Sequence, residues 1–169
     1  MKRVWFSLFV VILIAPGLTA HAQPGATEFQ DRWIAHGFFA AGSSLAENNA
    51  GFIGGGGGVE AFIWKRVTAG ADASGFRDNY YRAVGTFGHV GAQVGYHFAS
   101  REKTRGVDPF ILFGVGSFFP KESRPAVHGG AGLTYWFQRH IGARAEFRVG
   151  ERPYGDNIDG VFRVGIAFR

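Results

Sequence analysis

The sequence predicts an all-β protein: an up-and-down antiparallel transmembrane β-barrel of eight strands, preceded by a helical signal peptide. Three observations carry this expectation. The chain opens with a secretory leader. The rest divides into segments of about ten residues in which apolar and polar side chains alternate. Its aromatic residues gather at the ends of those segments.

The leader has three parts. Lys2 and Arg3 give a positive start, Val4 to Ile14 is an apolar run interrupted at Ser7, and Pro16-Gly17 ends it. Ala20-His21-Ala22 then sets small residues at the positions a signal peptidase reads, so cleavage is expected between Ala22 and Gln23. The apolar core falls well short of the roughly 20 residues a spanning helix needs, which separates a leader from an anchor. The domain reading is a signal peptide over 1–22, a short lead over 23–31 and a barrel over 32–169. Cleavage removes Lys2 and Arg3, so the formal charge falls from +5 to +3.

Composition narrows the classes further. A chain of 169 residues is one domain, and with no cysteine it has neither disulfides nor thiolate metal sites. Its residues are 46% hydrophobic, yet mean hydropathy is +0.00, so polar and apolar residues are mixed at fine grain. That suits alternating strands and not long buried helices. The pI near 9.9 comes from scattered basic residues and not from a cluster, which argues against nucleic acid as a partner. Beyond the leader no stretch is long and apolar enough for a transmembrane helix, so a membrane form must be a closed barrel.

The strands are read from period-two alternation. Ile141 to Val149 is the clearest: Ile141, Ala143, Ala145, Phe147 and Val149 share one face, and Gly142, Arg144, Glu146 and Arg148 the other. The last segment sets Phe162, Val164, Ile166 and Phe168 against Arg163 and Gly165. Val84 to Phe98 sets Val90, Val94, Tyr96 and Phe98 against Phe87, His89, Gln93 and His97. Val59, Ala61 and Ile63 alternate with Glu60 and Phe62; Val67, Ala69, Ala71 and Ala73 alternate with Thr68, Asp72 and Ser74. Val127, Ala131, Leu133, Tyr135 and Phe137 oppose His128, Gly130, Gly132 and Thr134. Phe110 to Phe119 is apolar on both faces, and Trp33 to Gly42 has no clear parity.

Connections at Lys65-Arg66, Ser100 to Asp108 and Gln138-Arg139-His140 alternate with those at Ser43 to Ala50, Arg77 to Asn79, Pro120 to Arg124 and Glu151 to Asp159. With an even strand number and both termini inside, the first set is periplasmic and the second external. Trp33, Trp64, Tyr96, Phe98, Phe110, Tyr135, Trp136, Phe137 and Phe168 fall at expected periplasmic ends; Tyr80, Tyr81, Phe118, Phe119 and Tyr154 fall near outer ends. From these, Trp33, Trp64, Tyr96, Tyr135, Trp136 and Phe168 are the expected aromatic girdle.

The carboxy-terminal third carries a resemblance. His128-Gly-Gly-Ala-Gly-Leu-Thr-Tyr-Trp-Phe137, Ile141-Gly-Ala-Arg-Ala-Glu-Phe-Arg148 and Gly160-Val-Phe-Arg-Val-Gly-Ile-Ala-Phe168 resemble the small outer-membrane β-barrel family, the OmpA/OmpX-like group. The resemblance implies an eight-stranded barrel with a packed polar interior, inserted by the outer-membrane assembly machinery. It also implies that the terminal aromatic belongs to the assembly signal; here Arg169 follows Phe168. The group is functionally mixed, so it implies no single activity.

The run Gly54 to Gly58 lacks the Lys-Ser or Lys-Thr and the helix that a phosphate loop requires, and reads as strand glycines that admit curvature and bulky neighbours. Glu60, Asp72, Arg144, Glu146, Arg148 and Arg163 are expected to form a lumen charge network, because an eight-stranded interior is just wide enough for side chains and buried ions must pair. His128, with Ser117 and Ser123 before it, is the one hint of a hydrolase, but no named motif spacing is present. His36, His89, His97, His128 and His140 are too dispersed along the chain to predict a metal site. The expectation is therefore a small outer-membrane barrel with a structural or surface-interaction role and a filled polar lumen, without catalytic residues, metal or cofactor. Its expected surroundings are outer-membrane lipid and lipopolysaccharide, as a monomer. The alternatives are a narrow pore for small solutes or ions, a lipid A-modifying enzyme, and a soluble lipocalin-like barrel whose apolar face turns inward.

Overall fold

The computed structural model describes residues 32–45, 51–78, 86–99, 105–119, 125–151 and 158–169. The signal peptide, its cleavage site and the lead lie outside the described residues. Eight strands follow one another: β1 (Trp33–Ser44), β2 (Gly51–Trp64), β3 (Val67–Asp78), β4 (Thr86–His97), β5 (Gly106–Phe119), β6 (Pro125–Trp136), β7 (Ile141–Glu151) and β8 (Ile158–Phe168). Each pairs antiparallel with its sequence neighbours, and β8 returns to β1 to close the barrel. Closure leaves no sheet edge, so the strands satisfy one another's backbone groups without water.

The distribution of side chains is inverted relative to a soluble barrel. Glu60, Asp72, Arg144, Glu146, Arg148 and Arg163 are buried in the lumen, while Phe39 is 79% exposed, Ile63 64% and Phe113 62%. Apolar groups of that size, present on the outer wall of every strand but β3, require hydrocarbon outside. The segments without clear parity follow the same rule. Ile34, His36, Phe38 and Ala40 of β1 face in, as do Phe110 and Leu112 of β5, while Ile111, Phe113 and Val115 face out.

Several boundaries move outward from the sequence reading. Ser43 pairs with Gly51 and Gly160, Arg77 with Ile53 and Thr86, Asp108 with Thr134, and Asp159 with Gly150. Polarity alone puts all four in connections. A polar side chain at a strand end meets the lumen or the headgroup zone, and does not interrupt the ladder. One girdle residue is also corrected. Trp136 is 2% exposed and lies in the lumen, because Tyr135 and Phe137 on either side point outward and alternation turns Trp136 in. Trp33, Trp64, Tyr96, Tyr135 and Phe168 lie exposed on the outer wall at the end of the barrel that carries the termini. Phe110 and Phe118, also read as end aromatics, face the lumen by the same alternation.

The ends of the barrel differ. At the termini end the β2–β3 turn is two residues long, with Lys65 at φ 27°, the positive value that tight hairpins need. Inside that end Ile34, Trp136 and Ala167 pack with Phe62. Toward the opposite end Phe38, Ala40, Phe52, Phe76 and Phe87 form a larger plug, with Phe118 and Val161 against it. Interior glycines make the room. A Cβ on Gly58 would lie 2.8 Å from His36 Nε2 and 2.9 Å from Asp72 Cβ. At the closing seam Gly165 lies opposite Phe38, and a Cβ there would strike the Gly37 carbonyl oxygen.

Gly165→Val should therefore strain the β1–β8 seam and cost about 1–3 kcal/mol, the usual range for overpacking. The check is the urea midpoint of the refolded barrel, with loss of the compact band in unheated gels. Gly75→Ala, which meets nothing within 4 Å on the outer wall, should leave both unchanged.

Candidate functional site

The lumen is the one place where chemistry-bearing side chains converge among the described residues. β7 supplies the axis of the network, since Arg144, Glu146 and Arg148 are successive inward positions. Nearest the termini, Glu60 of β2 meets Arg144 Nη2 at 2.8 Å and accepts a hydrogen bond from Thr68 Oγ1 at 3.1 Å. His97 bridges Glu60 and Asp108, with Nε2 3.4 Å from Glu60 Oε2 and Nδ1 2.8 Å from Asp108 Oδ2. His36 Nδ1 approaches Glu60 from β1 at 3.8 Å. In the middle layer Glu146 accepts from Arg144 Nη2 at 3.1 Å and from Arg148 Nε, and lies 3.9 Å from Arg163 Nη1. Above it Asp72 of β3 receives Arg148 Nη1 at 2.5 Å, Arg163 Nη1 at 3.1 Å and His89 Nδ1 at 3.4 Å.

Histidine rings also line this set. Among the described residues the buried acids are Glu60, Asp72, Asp108, Glu146 and Asp159, against three buried guanidiniums, Arg144, Arg148 and Arg163. The rings of His36, His89 and His97 each lie against a carboxylate. Buried ions are tolerated only when so paired. The guanidinium faces are used as well: Arg144 lies 4.0 Å over the Phe110 ring and Arg163 4.4 Å over Phe38.

All six residues of the expected charge network come together in this lumen. His36, His89, His97, Asp108 and Thr68 complete it; the sequence puts His89, His97 and Thr68 on the polar faces of their strands without joining them to the network, and places neither His36 nor Asp108. Their signal is parity: His36 shares the inward face of Ile34 and Phe38, and Asp108 that of Phe110. Between the network and the Phe52–Phe87 plug lies a cavity of about 50 Å³, lined in part by His89, His128, Arg148 and Asp159, with room for a few waters. A second void, about 10 Å³, touches His36, Arg144 and Glu146. Ser117 and His128 are not brought together. Ser117 shares the outward face of Val115 and Phe119, whereas His128 faces inward, with Nε2 3.2 Å from Arg148 Nη1. Ser123 lies outside the described residues. Among those described, no group of three or more histidine, cysteine or acidic residues is arranged to hold a metal ion.

An apolar outer wall, charged side chains buried inside and eight closed strands define a small transmembrane β-barrel. The chain shares this fold with solved outer-membrane barrels. Neisserial surface protein A (NspA) matches with a TM-score of 0.64 at 10% identity, over 82% of this chain and 97% of that one. The N-terminal β-barrel domain of Pseudomonas aeruginosa OprF gives 0.55 at 17%, over 82% and 98%. Ail, the attachment invasion locus protein of Yersinia pestis, in complex with the heparin analogue sucrose octasulfate, gives 0.53 at 15%, over 80% and 95%. At such identities the likeness is one of fold. No family model and no curated relative matches the chain.

Glu146→Ala would leave Arg144, Arg148 and Arg163 short of a shared counter-ion, and should destabilise the barrel by about 3–5 kcal/mol. Thr68→Ala removes a single hydrogen bond to Glu60 and should cost about 1 kcal/mol. Urea unfolding in detergent, followed by tryptophan fluorescence, measures both; equal costs would mean that Glu146 is not the shared hub.

Proposed function

We propose that the protein is a resident of a Gram-negative outer membrane, exported by its signal peptide, with a structural or surface-interaction role and no conduction path. The observation that carries this reading is the lumen. It is occupied by ion pairs from Asp108 to Asp72 and stoppered by apolar side chains at both ends. A path for solutes would have to part guanidinium–carboxylate pairs whose separation leaves uncompensated buried charge. The apolar outer wall supports lipid as its surroundings, and the solved barrels that share its fold are outer-membrane proteins. Ail, an attachment invasion locus protein, is a precedent for surface recognition by a barrel of this fold. In this chain the external connections, 46–50, 79–85, 120–124 and 152–157, would carry such contacts; Tyr80, Tyr81 and Tyr154 lie in them.

Cell fractionation should recover the mature chain in the outer membrane, as a compact species that resists detergent until heated. Recovery in the soluble periplasm would overturn the reading. In planar bilayers the purified barrel should stay silent over many insertions. Reproducible unitary current steps would instead make it a pore.

A further inference from the structure

The outer wall is uneven. Outward positions carry large side chains in succession on β5 (Ile111, Phe113, Val115) and on β8 (Phe162, Val164, Ile166), and β1, β6 and β7 mix large residues with small ones such as Gly37, Ala131 and Ala143. On β3 the successive outward residues are Ala69, Ala71, Ala73 and Gly75. The neighbouring strands continue the depression: Gly55 and Gly57 of β2 pair with Gly75 and Ala73, and Ala92 of β4 pairs with Ala71.

Small residues alone would make only a smooth patch. Here the upper end of the track is a formed groove. It has a volume of about 530 Å³, and the outward residues lining it are Ile53, Gly75, Arg77, Thr86, Gly88 and Phe119. A Cβ built on Gly75 meets nothing within 4 Å, so the floor is open. The walls are two rings laid over glycines. Phe119 covers Gly88 on one side, and Phe39 leans on Gly55 on the other, 3.8 Å from where its Cβ would be. Below them Val90 and Val59 continue the walls along the track. The run from Arg77 down to Ala69 is about 26 Å at the usual rise per strand residue, which accommodates an extended acyl chain.

Charge gives the groove a direction. Arg77 is the next outward residue after Gly75 and is exposed, at the end of the barrel opposite the termini. No ion pair holds it among the described residues. The other exposed cations there, Arg32, Lys65, Arg66, Arg105 and Arg139, all lie at the termini end. A guanidinium at the upper end of a groove floored by Gly75 is matched to a lipid with phosphate on its head.

We propose that the β3 groove is a binding site for one molecule of lipopolysaccharide, with an acyl chain on Gly75 and Ala73 and a lipid A phosphate on Arg77. The site rests on the outer-membrane reading above, which places this end of the barrel in the outer leaflet. A second copy of the chain, packing wall to wall on the same small residues, is the rival occupant.

The test uses the mature chain folded in detergent, titrated with bisphosphorylated hexa-acyl lipid A and followed by native mass spectrometry. The compact band in unheated gels reports folding of each variant. The wild type should take up one lipid A. Gly75→Leu fills the floor and should weaken uptake by about tenfold or more. Ala73→Phe, lower on the same track, should do likewise. Gly129→Leu is the control, an outward glycine on β6 with 3.8 Å of clearance, and should bind as the wild type does. Arg77→Gln should abolish the preference for bisphosphorylated over dephosphorylated lipid A. The proposal is overturned if the folded wild type takes up no lipid A, or if Gly75→Leu and Ala73→Phe bind normally. Equal weakening by Gly129→Leu would also overturn it. A lipid-free dimer that Gly75→Leu dissolves would assign the groove to a second copy instead. A barrel that fractionates to the outer membrane yet ignores lipid A loses this site alone; one found in the soluble periplasm loses the larger reading as well.

Discussion

In hydrocarbon, a peptide group without a hydrogen-bond partner costs several kcal/mol, and no water is at hand to supply one. A sheet that crosses a membrane must therefore close on itself, and in this chain the closing contact is the pairing of β8 with β1 from Ser44–Asp159 to Ala35–Phe168. Much else follows from that seam. Once the cylinder is closed, every residue is committed to one of two solvents, lipid or lumen, and the commitment alternates along each strand. Gly165 shows how tight the seam is, since the Gly37 backbone occupies the space its Cβ would need.

The lumen is the second consequence. Eight strands enclose a space that side chains can fill, and the polar residues sent inward by alternation have no bulk water to turn to. They must satisfy one another. Glu146 stands between Arg144 and Arg148 on its own strand, and reaches Arg163 across β8. Asp72 draws guanidiniums from β7 and β8 toward β3, and Glu60 does the same from β2 with Arg144, His97 and His36. The network thus ties distant strands across the barrel, adding transverse links to a sheet whose hydrogen bonds run only around its circumference. The apolar clusters above and below limit the access of water to it.

Where alternation was strong in the sequence, the site was legible. β7 and β8 carry charges at every second or fourth position among small and branched apolar residues, so Arg144, Glu146, Arg148 and Arg163 could be assigned to the lumen directly. Where both faces are apolar, as in β5, or where a polar residue sits at a strand end, hydropathy has no parity to read. Hydropathy puts Asp108 and Asp159 in connections for that reason, although each occupies an inward position of a ladder. Trp136 shows the complementary case. Tryptophan favours the membrane boundary, but its neighbours Tyr135 and Phe137 already hold the outward positions, and the pleat leaves only the lumen for it.

By itself, then, the sequence determined the period-two pattern and the strand number, and from these the closed barrel with charge inside and apolar side chains outside. Those are properties of neighbours along the chain, and a local pattern is enough to encode them. Only the tertiary structure decided which acid meets which base, that His97 bridges Glu60 and Asp108, and that the small residues of β2, β3 and β4 line up into one groove beneath Arg77. Such facts depend on the register between strands far apart in sequence, and register is set by how glycines and large side chains interlock once the barrel has closed.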